Sequence, residues 1–143
     1  MARYADIADL LTVMPQRDLV RFTADDGGVV VVDDVAERAL VFACDMIDSY
    51  LSNRYTTPLS PVPPVVQQLA LRLAAYQLRS RLEAYERDHP RRIDYEDALT
   101  LLRDISEGKS NLGVVPELAV QRSQVADISS NPRLFSRTTL RGL

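Results

Sequence analysis

The fold of this chain is decided by residues 34–51, whose sequence is DVAERALVFACDMIDSYL. Apolar residues recur there at steps of three and four, which predicts an amphipathic helix about five turns long. Asp34 is followed three residues later by Glu37, and this spacing predicts a capping box that begins the helix. The apolar stripe consists of Ala36, Ala39, Leu40, Ala43, Cys44, Ile47, Tyr50 and Leu51.

Three further apolar residues of this helix, Val41, Phe42 and Met46, lie off the main stripe. A helix that is apolar on more than one side is either buried on several sides or in contact with a partner subunit. The sequence leaves both interpretations open.

Two shorter helices are predicted before this one. Apolar residues at helical spacing between positions 7 and 14 indicate the first, and Pro15 separates it from a second around residues 19–22. The run Val29–Val32 is β-prone and too short for a helix, and it follows the turn-forming residues 25–28. It is expected to form either a hairpin arm or an extended loop.

Proline and glycine mark the boundaries of the later elements. Four prolines between positions 58 and 64 favour an extended connection, and Pro64 is well placed to begin a fourth helix that ends near Tyr85. Pro90 is expected to begin a fifth helix, and Gly108 to end it.

Helical periodicity disappears after residue 110, so we predict a helical domain over residues 1–110 and a tail over residues 111–143. The tail still contains large apolar residues, among them Val115, Leu118, Leu134 and Phe135. It either becomes ordered on a partner or forms a flexible terminus. The predicted fold class is all-α: a small bundle of about five helices with a short extended or hairpin arm and an irregular C-terminal tail.

Composition indicates that the protein is not an enzyme. Its 143 residues include one histidine and one cysteine, which excludes a metal cluster of Cys and His ligands and a disulfide framework. Cys44 is expected to be a buried structural residue, and His89 a solvated residue of a turn. We therefore predict no catalytic residue, no cofactor and no metal site, and the absence of a long apolar run predicts no membrane span.

Charge is unevenly distributed. Residues 1–53 carry four arginines and ten acids, a net charge of −6, whereas residues 54–110 carry +1 and residues 111–143 carry +2. An acidic N-terminal half argues against nucleic-acid binding, which relies on a basic surface. The alternative function is a small helix-turn-helix DNA-binding regulator, in which the second helix would present Gln16, Arg17 and Arg21.

The stretch 47–59, IDSYLSNRYTTPL, resembles the small head–tail connector (adaptor) proteins of tailed phages, particularly their Mu-like prophage branch. The similarity extends over residues 4–113 and includes the segments 4–11, 95–99 and 102–109. Its signature residues are Tyr50, Arg54, Tyr55 and Pro58. We expect these four to fix the chain where it leaves the third helix, as a local packing motif.

The resemblance implies a structural subunit, in which residues 1–110 are a helical connector domain. It would form a ring, commonly dodecameric, beneath the portal vertex, and phage DNA would pass through the bore without sequence-specific binding. The implied partners are further copies of the chain, the portal protein and the next neck or tail protein. The protein would be in the host cytoplasm during assembly and at the head–tail junction of the virion, and no membrane is involved.

Neighbours in a ring bind through two different surfaces, so each subunit needs two interaction patches besides its core. One predicted patch consists of Val41, Phe42 and Met46. The other lies in the tail and consists of Val115, Leu118, Leu134 and Phe135.

Overall fold

The structure is a computed structural model that describes residues 4–24, 27–82 and 89–114. Within these residues the chain forms five α-helices and no strand, which confirms the predicted all-α bundle. The helices are α1 (Ile7–Val13), α2 (Gln16–Thr23), α3 (Asp33–Leu51), α4 (Pro64–Ser80) and α5 (Pro90–Glu107).

The central element is α4, which packs against each of the other four helices. Its buried side chains extend around roughly two-thirds of its circumference at about 100° per residue. They are Val66, Leu69, Ala70, Leu71, Leu73, Ala74, Ala75 and Leu78. The three alanines among them let neighbouring helices approach closely, while the leucines fill the space between helices.

The start of α3 differs from the predicted capping box. The helix begins at Asp33, its N-cap is Val32, and no side chain caps it. The backbone N–H of Val32 instead donates to the buried hydroxyl of Thr23, with a nitrogen–oxygen distance of 3.1 Å. A contact from α2 therefore fixes this helix end, and the carboxylates of Asp33 and Asp34 in the first turn interact favourably with the helix dipole.

A reciprocal capping box occurs at α1 instead. Asp6 Oδ1 accepts from the N–H of Asp9 at 2.8 Å, and Asp9 Oδ2 accepts from the N–H of Asp6 at 3.1 Å. Pro15 is the N-cap of α2 rather than its first residue. The pattern D-x-x-D ahead of the first apolar stripe was the signal for this cap.

The predicted ends of the later helices are mostly confirmed. Pro64 and Pro90 are the first residues of α4 and α5, and Gly108 ends α5 with a φ of 86°. The expected end of α4 near Tyr85 is wrong, because the helix ends at Ser80. Tyr85 itself lies outside the described residues.

The run Val29–Val32 forms an irregular loop. Val29 is 90% exposed and Val30 is 71% exposed, and the segment pairs with no strand within the described residues. Of the two predicted forms, the structure has the extended loop. Residues 115–143, most of the predicted tail, lie outside the described residues.

The extended connection between α3 and α4 is fixed to the start of the described chain by Tyr4. The Tyr4 hydroxyl donates to Asp48 Oδ1 on α3 and accepts from the N–H of Leu59 at 3.0 Å. Burial, and next the hydrogen bond to Asp48, raise the pKa of Tyr4 above the usual tyrosine value of 10.0. The phenol therefore stays neutral in the folded protein at a pH that ionises it in the unfolded chain.

Tyr4→Phe is expected to lower the free energy of unfolding by about 1–3 kcal/mol at pH 7, because Asp48 and the N–H of Leu59 lose their shared partner. The raised pKa of Tyr4 stabilises the folded state below pH 10, and this stabilisation is lost as the pH rises further. In urea unfolding between pH 7 and 11, the free energy of unfolding should therefore fall less steeply above pH 10 for the variant than for the wild type. Tyr50→Phe is the control, since Tyr50 is only half-buried, and an equal effect of both changes would contradict the assignment.

Candidate functional site

The most apolar exposed feature of α3 is the pair Val41 and Phe42. The two side chains are 36% and 45% exposed, whereas the main stripe of the helix is buried against the core. Met46, the third member of the predicted patch, is half-buried and packs against the core. The structure thus separates this patch into two exposed residues and one half-buried residue that packs against the core.

Phe42 lies at the side of an open groove between α3 and α4, with a volume of about 340 Å³. The groove brings Val35, near the start of α3, next to Leu78, near the end of α4, so the two helices run antiparallel. Arg81 also lines it, and its Nη1 donates to the carbonyl of Phe22 at 2.9 Å. This bond joins the end of α4 to α2.

A charged depression adjoins the groove on α3. It is lined by Asp34, Glu37, Arg38 and Val41, so two carboxylates and one guanidinium surround an apolar side chain. The Nε of Arg38 donates to the backbone carbonyl of Asp34 at 3.1 Å, which holds this guanidinium along the helix. We call Asp34, Glu37, Arg38, Val41 and Phe42 the α3 surface.

A second cluster lies between α4 and α5. Its centre is the stacked pair of Tyr76 and Tyr95, whose ring centroids are 4.1 Å apart and whose planes differ by 17°. Burial raises the pKa of Tyr95, and the nearby Tyr76 and Tyr50 raise it further. We call the whole cluster the tyrosine–arginine surface; its members are Arg72, Tyr76, Arg79, Arg91, Asp94 and Tyr95.

Sequence reasoning missed the tyrosine–arginine surface. Tyr76 is half-buried on α4. Its partner Tyr95 is nineteen positions away on another helix. No periodicity within one helix indicates such a pair, although three arginines among the neighbouring positions were a signal for a basic surface.

Arg54 and Tyr55 connect the end of α3 to the end of α5. Arg54 Nη1 donates to the carbonyl of Ile105 at 2.9 Å, where the helix dipole of α5 favours a cation. The Tyr55 hydroxyl donates to Asn111 Oδ1 at 3.2 Å. A Cβ on Gly108 would lie 3.2 Å from the Arg54 guanidinium. Glycine is therefore favoured at this position both by its positive φ and by the close approach of Arg54.

The other predicted residues are dispersed over the molecule. Tyr50 is half-buried on α3 and Pro58 is exposed in the connection that follows. The predicted tail patch of Val115, Leu118, Leu134 and Phe135 lies outside the described residues.

Cys44 and His89, the only cysteine and histidine of the chain, both have structural roles. Cys44 is 1% exposed within the core. His89, expected to be solvated, is half-buried as the N-cap of α5, and its Nδ1 accepts from the N–H of Arg91 at 3.3 Å. Over residues 4–24, 27–82 and 89–114, no group of three metal-ligating side chains comes together.

The two helices of the alternative helix-turn-helix interpretation are short. Helices α1 and α2 have 7 and 8 residues, and Arg17 forms an ion pair with the adjacent Asp18 at 4.0 Å. None of the helices that the structure describes has the length and apolar content needed to cross a lipid bilayer.

Comparison with known proteins gives a consistent family. The family model described as "Bacteriophage Mu, Gp36" matches residues 4–129. The "Mu-like prophage FluMu protein gp36" of Haemophilus influenzae is 33% identical over 107 residues, which cover 74% of this chain and 73% of the relative. "Gene product J" of Escherichia phage Mu is 29% identical over 107 residues, 73% of each chain.

Arg54→Ala is expected to lower the free energy of unfolding by about 1–3 kcal/mol, because the last turn of α5 loses a charged donor at Ile105. Arg54→Lys should recover only part of this, since a lysine lacks the planar fork that lies over Gly108. The measurement is urea unfolding followed by circular dichroism. Arg103→Ala, a change of an exposed arginine on α5, is the control and should change stability by less than about 0.5 kcal/mol.

Proposed function

Since this chain belongs to the Bacteriophage Mu Gp36 family, we propose that it is a head–tail connector subunit, a non-enzymatic structural protein that forms a ring beneath the portal. The observation that carries the proposal is the exposed pair Val41 and Phe42 on the outer side of α3, in a protein of this phage family. Two adjacent large apolar side chains on a helix that already contributes a full stripe to the core are typical of a protein–protein interface.

The shape of the domain supports a role in assembly. Helices α3, α4 and α5 pack side by side as one body, and their outer sides carry chemically different surfaces. Head-to-tail rings require such a difference, because each copy contacts its two neighbours through two different patches. The partners that we propose are further copies of the chain, the portal protein and the next neck or tail protein.

The charge of the chain supports a passive relation to DNA. Residues 1–53 carry a net charge of −6, and like charge opposes the binding of phosphates. DNA would therefore pass through the ring without being held in one place. The proposed locations are the host cytoplasm during assembly and the head–tail junction of the virion.

Native mass spectrometry of the protein with and without the portal protein of the same phage tests the proposal. We expect a complex that carries a ring of this chain, twelve copies if the ring matches the portal, to form in the mixture. A strict monomer in both samples would contradict the proposal. So would tight duplex DNA binding with a steep salt dependence, which is the behaviour of the alternative, a helix-turn-helix regulator.

Phe42→Asp is expected to block formation of that complex while leaving the helical content unchanged, because Phe42 is 45% exposed and its replacement adds a charge to an interface rather than to the core. Assembly is measured by the mass of the particle and folding by circular dichroism. The matched control is Val65→Asp at 46% exposure, near the start of α4, where an acid is compatible with the helix dipole. Unfolding of Phe42→Asp, or equal loss of assembly in both variants, would contradict the interface.

A further inference from the structure

We propose that the tyrosine–arginine surface of one copy binds the α3 surface of a second copy, so that these are the two unlike patches of the head-to-tail contact. This rests on the proposed function, because it needs a ring, and it adds which residues meet. Both surfaces lie on helices that the structure describes, and the tail patch predicted from the sequence stays a prediction.

The two surfaces are complementary in charge. The tyrosine–arginine surface holds three guanidinium groups and the single carboxylate of Asp94. The depression around Val41 on the α3 surface holds the carboxylates of Asp34 and Glu37 and the guanidinium of Arg38. Arg81 lies across the groove from this depression, and its Nη1 donates to the Phe22 carbonyl. Each surface therefore attracts the other and repels a copy of itself, which favours the unlike pairing and disfavours a symmetric dimer through either patch.

The apolar parts are complementary as well. Tyr76 and Tyr95 present rings flanked by arginines. On the other side Val41 lies beside the acids Asp34 and Glu37, and the exposed Phe42 lies next to it on the groove side. Tyrosine and arginine are among the residue types that contribute most to binding at protein interfaces, where an apolar centre is surrounded by polar groups. The same arrangement of apolar centre and charged surroundings occurs on both sides.

The two surfaces lie on different sides of the domain. At about 100° per residue, Arg72, Tyr76 and Arg79 lie about 100–180° around α4 from Leu78 and Arg81. The latter two line the groove beside Phe42. One copy can thus use both surfaces at once with two different neighbours, and unlike contacts of this kind close into a ring when the rotation between copies allows it.

A protein partner fits the tyrosine–arginine surface better than DNA does. Proteins that bind single-stranded nucleic acid without sequence preference stack the bases on exposed aromatic faces. Here the two tyrosine rings stack on each other at 4.1 Å, so each covers one face of the other. Asp94 also lies within the cluster and repels phosphate.

The test is a pair of charge reversals on opposite surfaces. Variant A carries Arg72→Glu and Arg91→Glu, and variant B carries Asp34→Arg and Glu37→Arg. Each variant alone would place like charges across every contact, so the concentration needed for assembly with the portal protein should rise at least about tenfold. Circular dichroism confirms that both variants are folded, and Arg103→Glu on α5 is the control for an exposed arginine away from the surface.

An equimolar mixture of A and B is the decisive sample. In a ring of alternating copies, the native α3 surface of A contacts the native tyrosine–arginine surface of B. The charge-reversed α3 surface of B contacts the charge-reversed tyrosine–arginine surface of A, so opposite charges face each other at every contact. We expect assembly to return to within about threefold of wild type, with A and B in equal numbers by native mass spectrometry. A chain that carries all four changes should also assemble.

The inference is overturned, while the proposed function stands, if A and B both assemble as well as the wild type. It is also overturned if A and B lose assembly and neither their mixture nor the chain with all four changes restores it. If variant A assembles normally but binds duplex DNA more weakly than the wild type, the tyrosine–arginine surface binds DNA, and the inference is overturned as well. A wild-type protein that never assembles with the portal protein overturns both proposals, because no second copy is then bound.

Discussion

The structure depends on the burial of α4 among the four other helices. Its leucines and alanines extend around most of its circumference, and α1, α2, α3 and α5 each pack against a part of it. Each fully buried leucine contributes about 1.5–3 kcal/mol relative to an exposed one, so this single helix accounts for a large share of the hydrophobic stabilisation. The remaining solvent-facing strip carries Arg72, Tyr76 and Arg79, which are half-buried or exposed. One side of α4 therefore forms the core, and its other side contributes to the tyrosine–arginine surface.

Hydrogen bonds over long sequence separations fix the parts that lack regular structure. Tyr4 joins the chain ahead of α1 to α3 and to Leu59, while Arg54 and Tyr55 join the exit of α3 to the end of α5. Tyr4 gives the N–H of Leu59, in the irregular connection, a partner that a helix would otherwise provide, and Arg54 binds a carbonyl in the last turn of α5. The stretch 47–59 therefore includes residues that stabilise the fold, and the surfaces that we propose for partners lie elsewhere.

The sequence predicts the helices because their information is local. Pro64, Pro90 and Gly108 act within one helical turn, and apolar periodicity needs only neighbouring turns, so element type and most boundaries are predictable. The start of α3 was not, because the hydroxyl of Thr23, nine residues earlier, determines it through the N–H of Val32. The stacked tyrosines were unpredictable for the same reason: their contact depends on how α5 packs on α4. Val41 and Phe42 could be singled out by their position off the stripe, but only the packing of α3 shows that both are exposed.

In the proposed assembly, the curvature of the ring is a property of the core. The α3 surface and the tyrosine–arginine surface both lie on helices that pack directly on each other, so the angle between them is set by the packing of α3 and α5 on α4. Protein interiors are densely packed and resist compression, which holds that angle nearly constant from copy to copy. A constant angle between two unlike patches is the condition under which head-to-tail contacts close into a ring with a fixed number of subunits rather than extend into a filament. The number of subunits would then follow from side-chain volumes around α4, so a core substitution that leaves every interface residue intact can still change the closure of the ring.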